Sequence, residues 1–286
     1  MEKHRNEHRI ELMSRVLRVS VSGYYAWVNR KPAARSVESA KLTAEVKEIF
    51  DEHHQRYGSP RVYRELRARN RKVSLNRVAA LMRSAGLVAR KRRRHVCTTD
   101  SNHTQPIAGN ILDRNFVVSQ INRVWCGDIT YIPTRAGFAY VAVVIDLCSR
   151  KVVGWHVSER IDARLVCMAL WRAIEHRRKP KQAIARLFHS DQGVQYASKP
   201  FRHMLERFAI TPSMSRKGNC WDNAPTESFF KTLKEETGLA HELPRDSEHV
   251  RVLLYRYIEF YYNRIRRHSS IGYISPWEFE SRLIRG

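Results

Sequence analysis

Two periodicities divide the chain. Up to about residue 90 the apolar positions recur at helical spacing, and after about residue 120 they gather into short strand-like runs punctuated by turn residues. Residues 9–18 (RIELMSRVLR) put Ile10, Met13 and Leu17 on one helical stripe. Ser20 or Ser22 stands where it can cap a second short helix, whose apolar face would hold Tyr25, Trp27 and Val28. Residues 60–69 (PRVYRELRAR) read as a basic helix. Ser74 then caps residues 75–85, with Val78, Leu81, Met82 and Ala85 inward and Gly86 as the stop. Helix, tight turn, helix is therefore predicted twice, over 1–32 and over 40–95.

The run KRRR (91–94) and the polar stretch TTDSNHTQ (98–105) break this pattern, and 96–112 reads as a basic, polar linker. Strands are predicted at 124–132 (VWCGDITYI), 138–147 (FAYVAVVIDL) and 151–157 (KVVGWHV), with turns at 135–137 and at Ser149-Arg150. An amphipathic helix follows at 163–177, a strand at 183–189, a helix at 199–208, a strand at 211–215 and a helix from about 225 to 237. Three antiparallel strands, then helix, strand, helix, strand, helix is the order of an α/β, RNase H-like mixed sheet. The chain thus divides into an RNase H-like core over 113–245, small all-helical modules before it, and a C-terminal helical extension over 246–286 that opens with one long helix, 248–266.

Charge changes the picture next. The net charge is +24 in 286 residues, an excess that calls for a polyanionic partner, nucleic acid before an anionic membrane surface. The first hundred residues are the more intensely basic, with 24 Lys and Arg against 10 Asp and Glu, the rest holding 28 against 18. Arg61, Arg64 and Arg77 lie outside the apolar faces of their helices and are candidate DNA-backbone contacts, as are Lys91, Arg92, Arg93 and Arg94 in the linker and Arg216 and Lys217 later on. Arg264, Arg266, Arg267 and His268 make a further basic cluster, with a solvated helix end as the plain alternative. No apolar run is long enough to span a bilayer and no signal peptide is evident, so a cytoplasmic, nucleoid-associated protein is expected. The five cysteines are odd in number and form no CxxC pair, which argues for reduced thiols and against a structural zinc finger.

The candidate chemistry is carboxylate chemistry. Asp128 interrupts an apolar strand, where an aspartate is expensive unless paired or metal-bound. Asp191, in HSDQGVQYASKP (189–200), stands where a strand stops; it either caps the turn or delivers a charge to a site. Glu227 lies in the first turn of a helix that opens near Pro225. In the expected fold these three converge at one sheet edge, and an oxygen-only set suits Mg²⁺ or Mn²⁺. Two such ions about 3.5–4 Å apart activate a water or 3′-hydroxyl and stabilise the leaving oxygen of a phosphodiester. Asp146 reads equally as a turn residue or a ligand, and Asp222 reads as a helix cap in preference to a ligand. His189 and Ser190 read as packing, with support of the site as the alternative, Gly193 as the residue that permits a sharp exit from the strand, and Gln195 and Tyr196 as loop residues or DNA contacts.

WCGDITYI, HSDQGVQY and NAPTESFFKTLKEE resemble the three signature blocks of the OrfB-type DDE transposases of the bacterial insertion-sequence-three family, and are similar to retroviral integrases. The 35 residues between Asp191 and Glu227 match that family's spacing, and Lys234 stands at the family's basic position seven beyond the glutamate. RVLRVSVSGYYAW, YGSPRVYRELRARN, VIDLCSRKVVGW and YYNRIRRHSSIGYISPWEF extend the likeness along nearly the whole chain. Gly127 departs from the Thr that many relatives carry, and Thr226 from an apolar residue. The resemblance implies an integrase-like catalytic core with Asp128, Asp191 and Glu227 holding Mg²⁺ or Mn²⁺. It further implies cleavage at the element ends and transfer of the 3′-hydroxyl into target DNA.

The partners it implies are double-stranded DNA, further copies of the chain on that DNA, and an upstream-frame (OrfA-type) partner or fusion, with no membrane role. Sustained heptads of the kind a zipper needs are absent. Helical geometry sets Lys231 and Lys234 within roughly 40° and 20° of Glu227 around the axis, facing the incoming phosphate; for Lys231 an i,i+4 pair with Glu227 is the alternative. A plain nuclease of the same fold and a DNA-binding regulator or inactive partner subunit are the rival readings.

Overall fold

A computed structural model describes residues 1–30, 33–89, 105–177, 185–217 and 219–285. Lys91, Arg92, Arg93 and Arg94 and much of the 96–112 linker lie outside the described residues. The chain forms two compact units, Met1–Val88 and Ala89–Gly286.

The first unit holds α1 (Ile10–Val16), α2 (Val21–Val28), α3 (Ala34–Glu52), α4 (Ser59–Ala68) and α5 (Leu75–Ser84). Ser20 caps α2 by accepting from the Gly23 N–H, and Ser74 caps α5 by accepting from the Arg77 N–H. Sequence patterning misses α3. Its first half is polar and uncapped, and its apolar spacing (Val46, Ile49, Phe50) emerges only in the last turns. Those three residues form the core of the unit with Tyr57, Val62, Leu66, Val78 and Met82. The inner face expected for α2 is turned outward: Tyr25, Trp27 and Val28 are exposed and Tyr24 is buried. The Tyr24 hydroxyl donates to Glu2, and that bond draws its face of the helix inward.

The second unit is built on a five-stranded mixed sheet. Its strands are β1 (Val124–Thr134), β2 (Gly137–Asp146), β3 (Val152–Ser158), β4 (Leu187–Ser190) and β5 (Thr211–Met214), in the order β3-β2-β1-β4-β5. β1, β2 and β3 are an antiparallel meander, while β4 runs parallel to β1 and β5 parallel to β4. This is the topology read from the order of elements. Trp125, Ala142, Val144 and Phe188 on one face pack against Leu165, Ala169, Leu170, Ala173 and Ile174 of α6 (Ala163–Arg177). Fully burying a side chain such as Leu165 or Leu170 stabilises the fold by about 1.5–3 kcal/mol. Gly154 in β3 makes the close approach of α6 possible, because a Cβ there would lie 2.3 Å from the Ala169 carbonyl oxygen.

Short α7 (Val194–Ala197) and α8 (Lys199–Arg207) link β4 to β5, and α9 (Ala224–Thr237) follows β5. The single long helix expected over 248–266 does not form. α10 (Ser247–Tyr255) gives way to a π-helical stretch, Arg256–Tyr262, before the chain ends in α11 (Pro276–Arg285). The wider π turn brings Tyr257, Ile258, Tyr261 and Tyr262 to the buried side together. No helix among the described residues is long and apolar enough to cross a membrane.

Arg266 is a correction to the sequence reading. It is 3% exposed and so is no DNA contact. Its Nε and Nη2 donate to Glu236 near the end of α9 at 2.8–3.0 Å, and the Tyr257 hydroxyl donates to the same carboxylate at 2.8 Å. Removing one partner of a buried pair leaves a charge without compensation. Arg266→Ala is therefore expected to destabilise the second unit by about 3–5 kcal/mol, and Arg266→Met combined with Glu236→Met by far less. Urea denaturation followed by tryptophan emission measures both.

Candidate active site

Strand pairing sets the site. Cys126 of β1 is level with His189 of β4 in parallel register. Continuing that register by two residues brings Asp128 beside Asp191, across an interstrand gap of about 4.8 Å. Side chains at equivalent positions of paired parallel strands share a face, so the two carboxylates point the same way. Asp128 is 9% exposed, and its Oδ1 accepts from the Ile129 N–H at 2.8 Å. Asp191 lies one residue past β4 and accepts from the Gly193 N–H at 3.0 Å. Asp191 thus caps a turn, and it does so at the end of β4 beside Asp128. Gly193 itself has φ −62° and ψ 140°, an ordinary extended backbone, so the exit from the strand does not need glycine there.

α9 brings the third carboxylate. Glu227 lies in its first turn, exposed, with Pro225 at the helix start. The electrostatics record the crowding. Burial, and then the charges of Asp191 and Glu227, push the Asp128 carboxyl well above its usual value, against the Ile129 and Thr226 hydrogen bonds. Glu227 is also raised, by partial desolvation and Asp191, with Lys231 opposing. Desolvation lowers the Lys234 amine against the pull of Asp128, and its Nζ stands 5.0 Å from the centre of the Tyr131 ring. Both lysines therefore lie among the carboxylates.

Among the described residues, no three His, Cys, Asp or Glu side chains are gathered tightly enough to hold a metal as they stand. Like charges keep the three carboxylates from closing on one point unaided. The donor chemistry nevertheless fits a hard divalent cation, since all the nearby anionic ligands are oxygens and their mutual repulsion is what such a cation relieves.

The competing carboxylates have other work. Asp146 is fully buried and accepts from the backbone N–H groups of Asn122, Cys148 and Ser149, which decides for the turn role. Asp222 does not cap α9, whose N-cap residue is Asn223. It is fully buried and accepts from the Arg216 N–H, Nε and Nη2, from Arg114 Nε and from Asn110 Nδ2, at 2.7–3.1 Å. The Arg216 hydrogen bond leads the causes that hold its carboxyl far below the usual range. His189 is buried, and burial lowers it to about 4, so it is neutral. Its Nε2–H donates to the Asp222 carbonyl at 3.0 Å, and its Nδ1 accepts from the Ser213 hydroxyl at 2.9 Å. His189 and Ser190 are thus packing residues, as read. Tyr196 is 2% exposed beside Phe188 and Phe201, a core residue and no DNA contact.

The remaining basic candidates divide. Arg61 lies over the Tyr57 ring and Arg64, exposed, over Tyr63. Arg77 donates to Ser39 Oγ at 3.1 Å. Arg216 is half-exposed although its fork is engaged with Asp222, and Lys217 is exposed. Arg264 is exposed, while Arg267 and His268 are half-buried and bonded within the turn at 267–274.

Sequence reasoning missed Thr226. It is fully buried, its hydroxyl facing both the Asn223 carbonyl at 2.9 Å and the Asp128 carboxylate. An unexpected hydroxyl beside the glutamate was the available signal. Arg114 and Asn110 carried no such signal, because their partner Asp222 is over a hundred residues away.

A mixed sheet of this order, with carboxylates within β1, just past β4 and on the helix after β5, defines an RNase H-like integrase core. The family comparisons agree. Residues 118–220 and 208–276 match models described as integrase core domain, and residues 38–95 match an HTH-like domain. Among curated proteins, the chain is similar to transposase InsF for insertion sequence IS3A of Escherichia coli (strain K12), 41% identical over 284 residues, covering 99% of this chain and 97% of that one. It is also 37% identical over 270 residues to the insertion element IS600 uncharacterized 31 kDa protein of Shigella sonnei, covering 94% and 98%. Solved structures with a likeness include a simian T-cell lymphotropic virus intasome chain, with TM-score 0.47, 17% identity and coverage of 82% of this chain and 73% of that one. Another is the HTLV-2 integrase catalytic core domain in complex with magnesium, with TM-score 0.41, 19% identity and coverage of 55% and 95%. The chain belongs to the transposase family of insertion sequence IS3, and it is an insertion-sequence transposase.

The Asp222 clamp generates a prediction. Asp222→Ala strands the Arg216 and Arg114 guanidiniums and is expected to loosen residues 215–223. Limited proteolysis should cut this loop faster than in the wild type, while the sheet retains its protection.

Proposed function

We propose that Asp128, Asp191 and Glu227 are the catalytic carboxylates, and that the chain cuts one strand at each element end and joins the freed 3′-hydroxyl to a target phosphate. The observation that carries this reading is the β1–β4 register that sets Asp128 beside Asp191, with burial and the charges of Asp191 and Glu227 raising the Asp128 carboxyl. Three carboxylates that hinder one another's ionisation make a site for Mg²⁺ or Mn²⁺. When bound, two such cations supply the Lewis acidity that activates the attacking oxygen and stabilises the leaving one. Asp128 contributes a ligand from within β1, Asp191 from the end of β4, and Glu227 from the first turn of α9. Lys231 and Lys234 bring positive charge to the phosphate without taking part in bond making. Transfer by direct transesterification needs no covalent link to the protein.

The helical modules over 1–32 and 40–95 hold duplex DNA through exposed cations such as Arg64, with Arg264 contributing from the C-terminal extension. Joining two ends at one target requires more than one copy on the DNA. An upstream-frame partner would add end recognition. The work is that of a cytoplasmic, nucleoid-associated protein.

The test uses supercoiled plasmid, a tagged oligonucleotide and Mn²⁺ or Mg²⁺. Metal-dependent nicking and joining are expected, and Asp128→Asn, Asp191→Asn and Glu227→Gln should each lower them by more than the roughly 100-fold that loss of an outer partner costs a metal site. DNA binding should persist in all three. Nicking by Glu227→Gln at the wild-type rate would remove the assignment. Binding with no nicking by the wild type would favour the regulator or inactive-subunit reading. Lys234→Ala is expected to reduce the salt dependence of DNA binding by about one unit of slope, as loss of one phosphate contact does.

A further inference from the structure

Trp221 is the most exposed tryptophan among the described residues, at 70%, and it is exposed on a rigid support. It belongs to the 3₁₀ turn Cys220–Asn223, which runs directly into α9. The next residue is Asp222, held by the five hydrogen bonds its carboxylate accepts, and its carbonyl accepts from the His189 ring. Asn223 follows, buried, with its Nδ2 donating to the Gly127 carbonyl in β1. A large apolar ring kept in solvent by so many bonds beneath it is a feature of the fold and not of a loose loop.

Its surroundings point to an occupant. The Arg216 and Arg114 guanidiniums that clamp Asp222 are themselves 51% and 46% exposed; Asp113 also meets Arg216 at 3.4 Å, so two carboxylates balance them and the positive excess comes from Lys217. Lys217 is exposed on the same loop. An exposed aromatic face among cations is the composition of a nucleobase-stacking site on a polyanion. Its distance from the chemistry is short. Glu227 is six positions beyond Trp221, and helical chain of that length advances only about 10 Å, roughly three stacked base steps.

We propose that Trp221 stacks on an unpaired or terminal nucleobase of the DNA next to the cut phosphate, so that the transposase favours opened ends over continuous duplex. The proposal rests on the carboxylate assignment only for where along the DNA this base lies. Stacking on an aromatic side chain is worth about 1–3 kcal/mol per base, which corresponds to about a 5- to 150-fold preference.

The experiment uses the full chain, without divalent metal. The probe is a short duplex carrying a fluorescent aminopurine at a frayed end; its companions are the same duplex with the analogue internal, and a closed minicircle. The wild type and Trp221→Phe are expected to quench the end-placed analogue and to prefer the frayed end over the minicircle at least fivefold. Trp221→Ala should lose both effects yet bind the minicircle as the wild type does. Retained quenching and preference in Trp221→Ala would overturn the proposal, as would equal weakening for every DNA. A change confined to self-association in sedimentation would also overturn it and make Trp221 a contact between copies. Glu227→Gln is included and is expected to keep the end preference. If Glu227→Gln nicks normally in the plasmid assay, the carboxylate assignment fails while the binding result for Trp221 is still read by itself.

Discussion

The parallel pairing of β1 with β4 is the constraint on which this transposase is built. It lays the end of β4 beside the middle of β1 and so brings Asp128 level with Asp191 on one face of the sheet. Nothing in the folding of the strands favours that arrangement electrostatically. Two carboxylates this close oppose each other's ionisation, and burial adds to the penalty at Asp128. Hydrophobic packing of the sheet against α6 supplies the stability that tolerates it.

The third carboxylate arrives on a helix, and the helix is fastened from both ends by buried ions. At its entrance Asp222 gathers Arg216, Arg114 and Asn110, tying the loop before α9 to the segment that precedes β1. Near its exit Glu236 takes the Arg266 fork and the Tyr257 hydroxyl, tying α9 to the C-terminal extension. A similar joint holds α11, where Glu280 receives Arg177, Lys151 and Ser149 from α6 and the β2–β3 turn. Buried ion pairs are weak sources of net stability, but they resist slippage because each broken half is expensive. In a helix proposed to aim Glu227 at Asp128 and Asp191, that resistance to slippage matters more than net stability.

The same bonds explain where the positive charge goes. A net charge of +24 suggests a surface uniformly ready for DNA. Yet Arg266 is entirely interior, Arg267 and His268 stabilise a turn, and Arg69 and Arg71 pair with Glu52 and Glu45 of α3. The cations proposed to meet phosphate are exposed ones such as Arg264.

Much was legible in the chain by itself. Period-two and period-3.6 patterning locate the meander, α6 and α9, because those elements bury one face against a large core. Asp128 is singled out because a charge in an apolar strand is conspicuous without any knowledge of what surrounds it, while the 35-residue gap before Glu227 is informative only through the resemblance to the transposase family. Local patterning could not foretell the burial of Arg266, the clamp on Asp222, the π turn after α10 or the outward face of α2. Each depends on a partner far along the chain or on a packing choice among several apolar faces. A charged residue looks the same in sequence whether it meets water, phosphate or a buried carboxylate. Only tertiary structure, by deciding which groups lose their water together, makes Arg266 a fastening and leaves Trp221 in solvent.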